Sequence, residues 1–321
     1  MPLQISSGIQ IGAGISIELD QPLNQQAVFA FGWNGTDFLN ISNYVSTTGT
    51  VASDTVIAAD AKGSMAGAGY GGDKGIFAYG QNSSISVNTT NLVTNTGIIG
   101  SDTAGAGQVR IGVGAAGYGY DKAIFGFGST GPVESIVFYN TVNLVTNTGT
   151  VSNNVTNAAT ARGFTAAATY DQNKAIFAFG SNPYLTQLSV SNLVTDLGVI
   201  STDTATVGTA RAYVAAASYG IDKAIFGFGS ILPNYPGETF YSITNLVNNL
   251  GVLASDVVNA ATPRTFLAAS KFGTDQAIFG FGYNGSNSNV TNIVNNLGIV
   301  ASDVISVGTG RRRVAAVAFG G

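Results

Sequence analysis

Short apolar runs alternate with clusters of Gly, Asn, Ser and Thr along most of the chain, a rhythm of brief strands and turns. One strand-like phrase occurs six times, at Ala27–Gly32, Gly75–Gly80, Ala123–Gly128, Ala175–Gly180, Ala224–Gly229 and Ala277–Gly282. A second phrase follows each copy and carries Asn43, Asn91, Asn143, Asn192, Asn245 or Asn292. A third begins at Lys62, Arg110, Arg162, Arg211, Arg264 or Arg311 and runs into small apolar residues. From the Asn to the basic residue is 19 positions in every copy, and from the basic residue to the next terminal glycine is 18. Only the step from that glycine to the next Asn varies, between 10 and 16. A one-residue slip in a sheet turns its side chains to the opposite face, whereas loops absorb insertions. The invariant spans therefore read as sheet. The segments 33–42, 81–90, 129–142, 181–191, 230–244 and 283–291 read as loops.

Each unit reads as four short strands, in one unit Ile111–Gly117, Ala123–Phe127, Asn143–Thr146 and Thr150–Asn153. The first is small enough to crowd around an axis, and the second carries the Ile and Phe that fill the space between units. After Arg311 only ten residues remain, and the strand that the last unit lacks stands at Gln25–Gly32. The pattern predicts an all-β fold: a six-bladed β-propeller of four-stranded blades over residues 25–321, its ring closed by pairing of the N- and C-terminal strands.

Residues 1–24 follow another rule. From Leu3 to Leu19 the odd positions are almost all apolar, Ile5, Ile9, Ile11, Ile15 and Ile17 among them, and the even ones are polar or glycine. This is a period-two strand pattern. At ~3.3 Å per residue it would span about 56 Å, too long for one blade. Either it packs on its own propeller or its apolar edge pairs with another copy or a particle, and we take it as an assembly strand.

The units resemble kelch-type propellers in a basic residue before a small-residue strand, a short turn, and an aromatic strand ending in Gly. The repeat length is also close to the kelch value of about 50. They depart from that family in lacking the Gly-Gly doublet after the second strand and the outer-strand Trp, since Trp33 is the single Trp. The phrases Ala-Ile-Phe-Gly-Phe-Gly and Asn-Leu-Val-Thr-Asn-Thr-Gly, with the Gly/Ile/Ser-rich opening, are similar to repeat and structural proteins of tailed bacteriophages of aquatic bacteria. That resemblance implies a virion structural or adsorption protein. Its partners would be other virion proteins or copies of itself, met through residues 1–24, and a host-surface glycan.

Composition narrows the chemistry. The chain has no His and no Cys, which removes thiol chemistry, Cys/His zinc sites and the commonest general base. Charged residues are 9% of the chain and the formal net charge is −4. The single basic run, Arg311-Arg312-Arg313, is too short for a nucleic-acid surface. No apolar run approaches the ~20 residues of a membrane helix, and the first basic residue is Lys62, so neither membrane insertion nor a signal peptide is expected. Glu18, Glu134 and Glu238 belong to no motif, and no phosphate loop is present. An enzyme is not expected, nor a cofactor.

Two sets of residues remain. Asp54, Asp102, Asp203, Asp256 and Asp303, with Asn154 in the sixth copy, each lie eight residues before the repeat cation. They could form an anion or calcium ring with the cations, or bond within blades. Recurrence in every copy favours a structural role for Arg110, Arg162, Arg211, Arg264 and Arg311. The loops carry Trp33, Asp37, Phe38, Glu134, Tyr139, Tyr184, Tyr235, Glu238, Tyr241 and Tyr283. Aromatics beside acids and amides on a rigid rim suit recognition of sugars or protein surfaces. These residues do not recur from copy to copy. They predict one asymmetric contact surface, with 129–142 and 230–244 reaching furthest, rather than one sugar site per blade. A free lectin is the alternative.

Overall fold

A computed structural model of the chain describes residues 25–320 except 84, 132–134, 184–185 and 232–236. The predicted assembly residues Ile5, Ile9, Ile11, Ile15 and Ile17, and the loop residues Glu134, Tyr184 and Tyr235, lie outside the described residues.

The chain forms six antiparallel blades. Their inner strands are Ala315–Phe319 in blade 1, then Ala66–Tyr70, Gly114–Tyr118, Ala166–Tyr170, Ala215–Tyr219 and Ala268–Phe272 in blades 2 to 6. Each pairs with a strand carrying the Ile-Phe phrase, Gln26–Ala30 in blade 1 and Lys174–Ala178 in blade 4 for example, and that strand pairs with one carrying the repeat Asn. Blade 1 is made from both ends of the sequence, with Gln26 opposite Phe319 and Ala30 opposite Ala315. The ring therefore closes where the repeat spacing predicts.

The fourth strand is displaced from its expected position. Instead of Thr150–Asn153, blade 3 pairs only Val155–Thr156 with Thr141–Val142, after a lone bridge between Val145 and Val151. The repeat Asn explains the break. Asn143 Nδ2 donates to Ser152 O and Asn154 Oδ1, filling the gap in the ladder with a side chain. Among the described residues of blade 2, the outer strand is reduced to the lone bridges Val93–Ile99 and Thr90–Thr103.

Six edge-to-face aromatic pairs hold the blades together around the ring: Phe31–Phe77, Tyr79–Phe125, Phe127–Phe177, Phe179–Phe226, Phe228–Phe279 and Phe281–Phe29, with centroids 5.0 to 5.8 Å apart. Such a pair contributes roughly 0.5–1.5 kcal/mol beyond area burial. At Gly67 neighbouring inner strands come too close for a side chain; a Cβ there would lie 2.4 Å from Ala316 O in the adjoining blade. At the turns between first and second strands, backbone hydrogen bonds close a complete circle: Gly71 to Asp121, Gly119 to Asn173, Asp171 to Asp222, Gly220 to Asp275, Gly273 to Gln25 and Gly320 to Asp73. The Asp-Lys turns are therefore joints between blades as well as solvated corners.

Candidate functional site

The repeat cations fix the bases of the loops. Arg162 is fully buried. Its Nε donates to Phe179 O, its Nη2 to Asn192 Oδ1, and its Nη1 lies 3.6 Å from Asp203. Its guanidinium stacks 3.9 Å from the Phe127 ring of the preceding blade. Arg211, Arg264 and Arg311 repeat the arrangement with Asn245, Asn292 and Asn43. Arg110 bonds Phe127 O, Thr141 and Asn143 instead, where Asn154 replaces the acid. Lys62 pairs with Asp102. Burial lowers the pKa of Arg162, Arg211, Arg264 and Arg311 to about 10, against the pull of their aspartates, so all stay charged at neutral pH. Burial also works to raise Asp203, but hydrogen bonds from Thr160 and Asn192 and the Arg162 charge outweigh it, and its pKa falls below the usual value. Each acid is committed to its own blade, not to a shared ring.

After each second strand the chain turns sharply outward. An aromatic residue adopts a left-handed conformation, as Phe228 does with φ 64°, and a glycine follows. At Gly229 φ is 98° and an added Cβ would lie 2.7 Å from Ala212 O, so both conformation and space demand glycine. The next residue then pairs with the residue following the repeat cation: Trp33 with Arg312 in blade 1, Tyr283 with Thr265 in blade 6. The loop bases are thereby clamped to the segments that enter the inner strands.

This clamping brings Trp33 and Tyr283 together around one cation. Arg312 lies 4.5 Å from the Trp33 ring and 4.1 Å from the Tyr283 ring. Phe240 stands edge-on to Tyr283 at 6.0 Å. Towards the axis, Phe164 stacks on Tyr213 at 4.4 Å, Tyr213 meets Phe266 at 4.2 Å, and Arg313 lies 5.7 Å from Phe266. All are half-buried. Phe164, Tyr213, Phe266 and Arg313 border an axial recess of about 100 Å³. Each has a left-handed backbone, with φ between 55° and 60°. Such a conformation costs on the order of 1–3 kcal/mol in a non-glycine residue. Arg312 and Arg313 form no ion pair among the described residues, and the Nε of each is buried without a hydrogen bond. Burial and the neighbouring Arg312 charge push Arg313 down in pKa.

A groove of about 560 Å³ adjoins this platform, lined by Trp33, Asp37 and Phe38 of blade 1 and by Asp60 and Asn82. Three predicted loop residues thus share one concavity, and Tyr283 reaches it through Arg312. Others stand apart. Tyr139 and Tyr241 receive the backbone N–H of Arg162 and Arg264 and close their own loops. Glu238 is half-buried in the blade 5 loop. From sequence Arg312 and Arg313 stand out only as part of a short basic run, and Phe164, Tyr213 and Phe266 do not stand out at all. The signal was available: they stand one or two residues after the repeat cation, where blades 2 and 3 have Gly63-Ser64 and Ile111-Gly112.

The fold defines the class, a β-propeller with an asymmetric aromatic and cationic face that fits a binding role. No protein-family model matches the chain, and no curated protein matches it in sequence. The kelch and phage likenesses therefore rest on the quoted phrases alone.

Proposed function

We propose that the protein is a non-enzymatic binding propeller, a structural or adsorption component of a phage particle, whose loop face holds an acidic glycan of the host surface. The observation that carries this reading is Arg312 between Trp33 and Tyr283, with Arg313 beside it and, among the described residues, no carboxylate paired to either. Aromatic faces pack against the apolar side of a sugar ring, and guanidinium groups take carboxylate or sulfate in fixed geometry. Asp37, Asp60 and Asn82 in the adjoining groove supply acceptors and an amide for neutral hydroxyls. The particle setting is supported by the phage-like phrases and the strand pattern of residues 1–24.

An array of acidic and neutral glycans tests the face. Acidic glycans should bind, and Trp33→Ala or Arg312→Gln should each weaken them by about tenfold, the equivalent of one desolvated cation–π contact. Equal binding of neutral glycans, or indifference to both substitutions, would overturn the reading. Native mass separates a particle component from a free lectin with the same face. The full chain should self-associate where a chain starting at Gln25 stays monomeric; two monomers would favour the lectin.

A further inference from the structure

The axial bore opens at the turn face, opposite the glycan platform, and holds about 140 Å³ between the six inner strands. The fourth residue of each inner strand is small in five blades: Gly69, Gly117, Thr169, Ser218 and Ala318. In blade 6 it is Lys271. Thr169 Oγ1 donates to Gly117 O at 2.8 Å and Ser218 Oγ to Thr169 O at 2.8 Å, so each hydroxyl ties its strand to the preceding blade. Among the described residues, the Lys271 ammonium, next in that series, makes no hydrogen bond or ion pair, and no carboxylate lines the bore. Lys74, the other cation there, is paired with Asp73. Lys271 is solvent-exposed inside the bore, and the protein walls around it push its pKa down with no opposing charge. An unpaired ammonium inside a narrow bore with protein walls focuses positive potential there and draws an anion in.

We propose that the turn-face bore is a binding site for one small oxyanion, a sulfate or phosphate, held by the Lys271 ammonium. The bore is large enough for such an ion with part of its water shell. The site is independent of the glycan face, so either can fail alone.

The test is a titration of the full chain with inorganic sulfate, with chloride at equal ionic strength as control, read by lysine side-chain NMR and by thermal midpoint. A saturable shift of the Lys271 signal is expected, with a sulfate-specific rise in midpoint. Both should vanish in Lys271→Thr, which copies blade 4 and so preserves the fold, and survive in Lys271→Arg. The absence of a saturable shift, or the same sulfate-specific rise in Lys271→Thr, would overturn the proposal.

Discussion

A buried arginine is tolerated when its donors are answered, and Arg211 meets that condition with Phe228 O, Thr209 O, Asn245 and the nearby Asp256. Truncating it to Ala leaves Asn245 and Asp256 without their cation and opens a cavity between two blades. We expect a loss of about 3–5 kcal/mol, read as a lowered denaturant midpoint. Asp256→Asn should cost only about 1 kcal/mol, since Asn154 already holds the same place in blade 3. The acids also set a pH dependence. Asp54, Asp102, Asp203, Asp256 and Asp303 are held below their usual pKa by hydrogen bonds and cations that outweigh the burial opposing them. A carboxyl depressed in the folded state binds protons less readily than in the unfolded chain. Its contribution is complete above the ordinary aspartate value of 3.8 and is lost as pH falls through the folded value. Thermal midpoints should be flat near neutrality and drop below about pH 4; a midpoint unchanged down to pH 2 would contradict this.

The strand that turns into a loop has a glycine requirement distinct from that of the inner strands. Gly229 must be left-handed and lie close under Ala212 O, so Gly229→Ala is expected to cost on the order of 1–3 kcal/mol and to loosen the blade 5 loop. Residues 285–286 lie in an exposed loop whose length varies among repeats, and a two-residue insertion there should leave the midpoint unchanged. The same insertion in the 295–298 hairpin would move Leu297 and Ile299 out of register with Asn295, which caps that turn through Leu297 N and Ile299 N, and should destabilise the fold. Thermal scans of the two insertions distinguish loop from sheet.

The molecule is stabilised as a ring. Six aromatic pairs, the interleaved cations and a closed circle of turn hydrogen bonds all join neighbours, so every blade has two partners. Deleting Ala315–Gly321 removes the inner strand of blade 1, exposes Gln26–Ala30 as an apolar edge and breaks the circle at Gly320. Such a chain should aggregate on refolding, visible by light scattering, because an unpaired apolar edge recruits other strands.

The repeat was legible because its spacing is invariant: 19 and 18 positions between marked residues leave room for loops in one place only. That determined the blade count, the strand order within a blade and the closure at Gln25–Gly32. The recurrence of the arginines was legible too, and each lies buried against an aromatic ring of the preceding blade. The break in the outer strand was not, because it depends on Asn143 reaching across to Ser152 O and Asn154. Nor was the site. Trp33 and Arg312 are far apart in sequence, and only ring closure places them in adjacent strands. Phe164, Tyr213 and Phe266 look like stray substitutions in a small-residue phrase until the blades set them side by side around the axis. Local spacing decides pairing within a blade, because sheet register is a matter of counting. Which unlike residues meet across blades is decided by closing the circle, which no single repeat encodes.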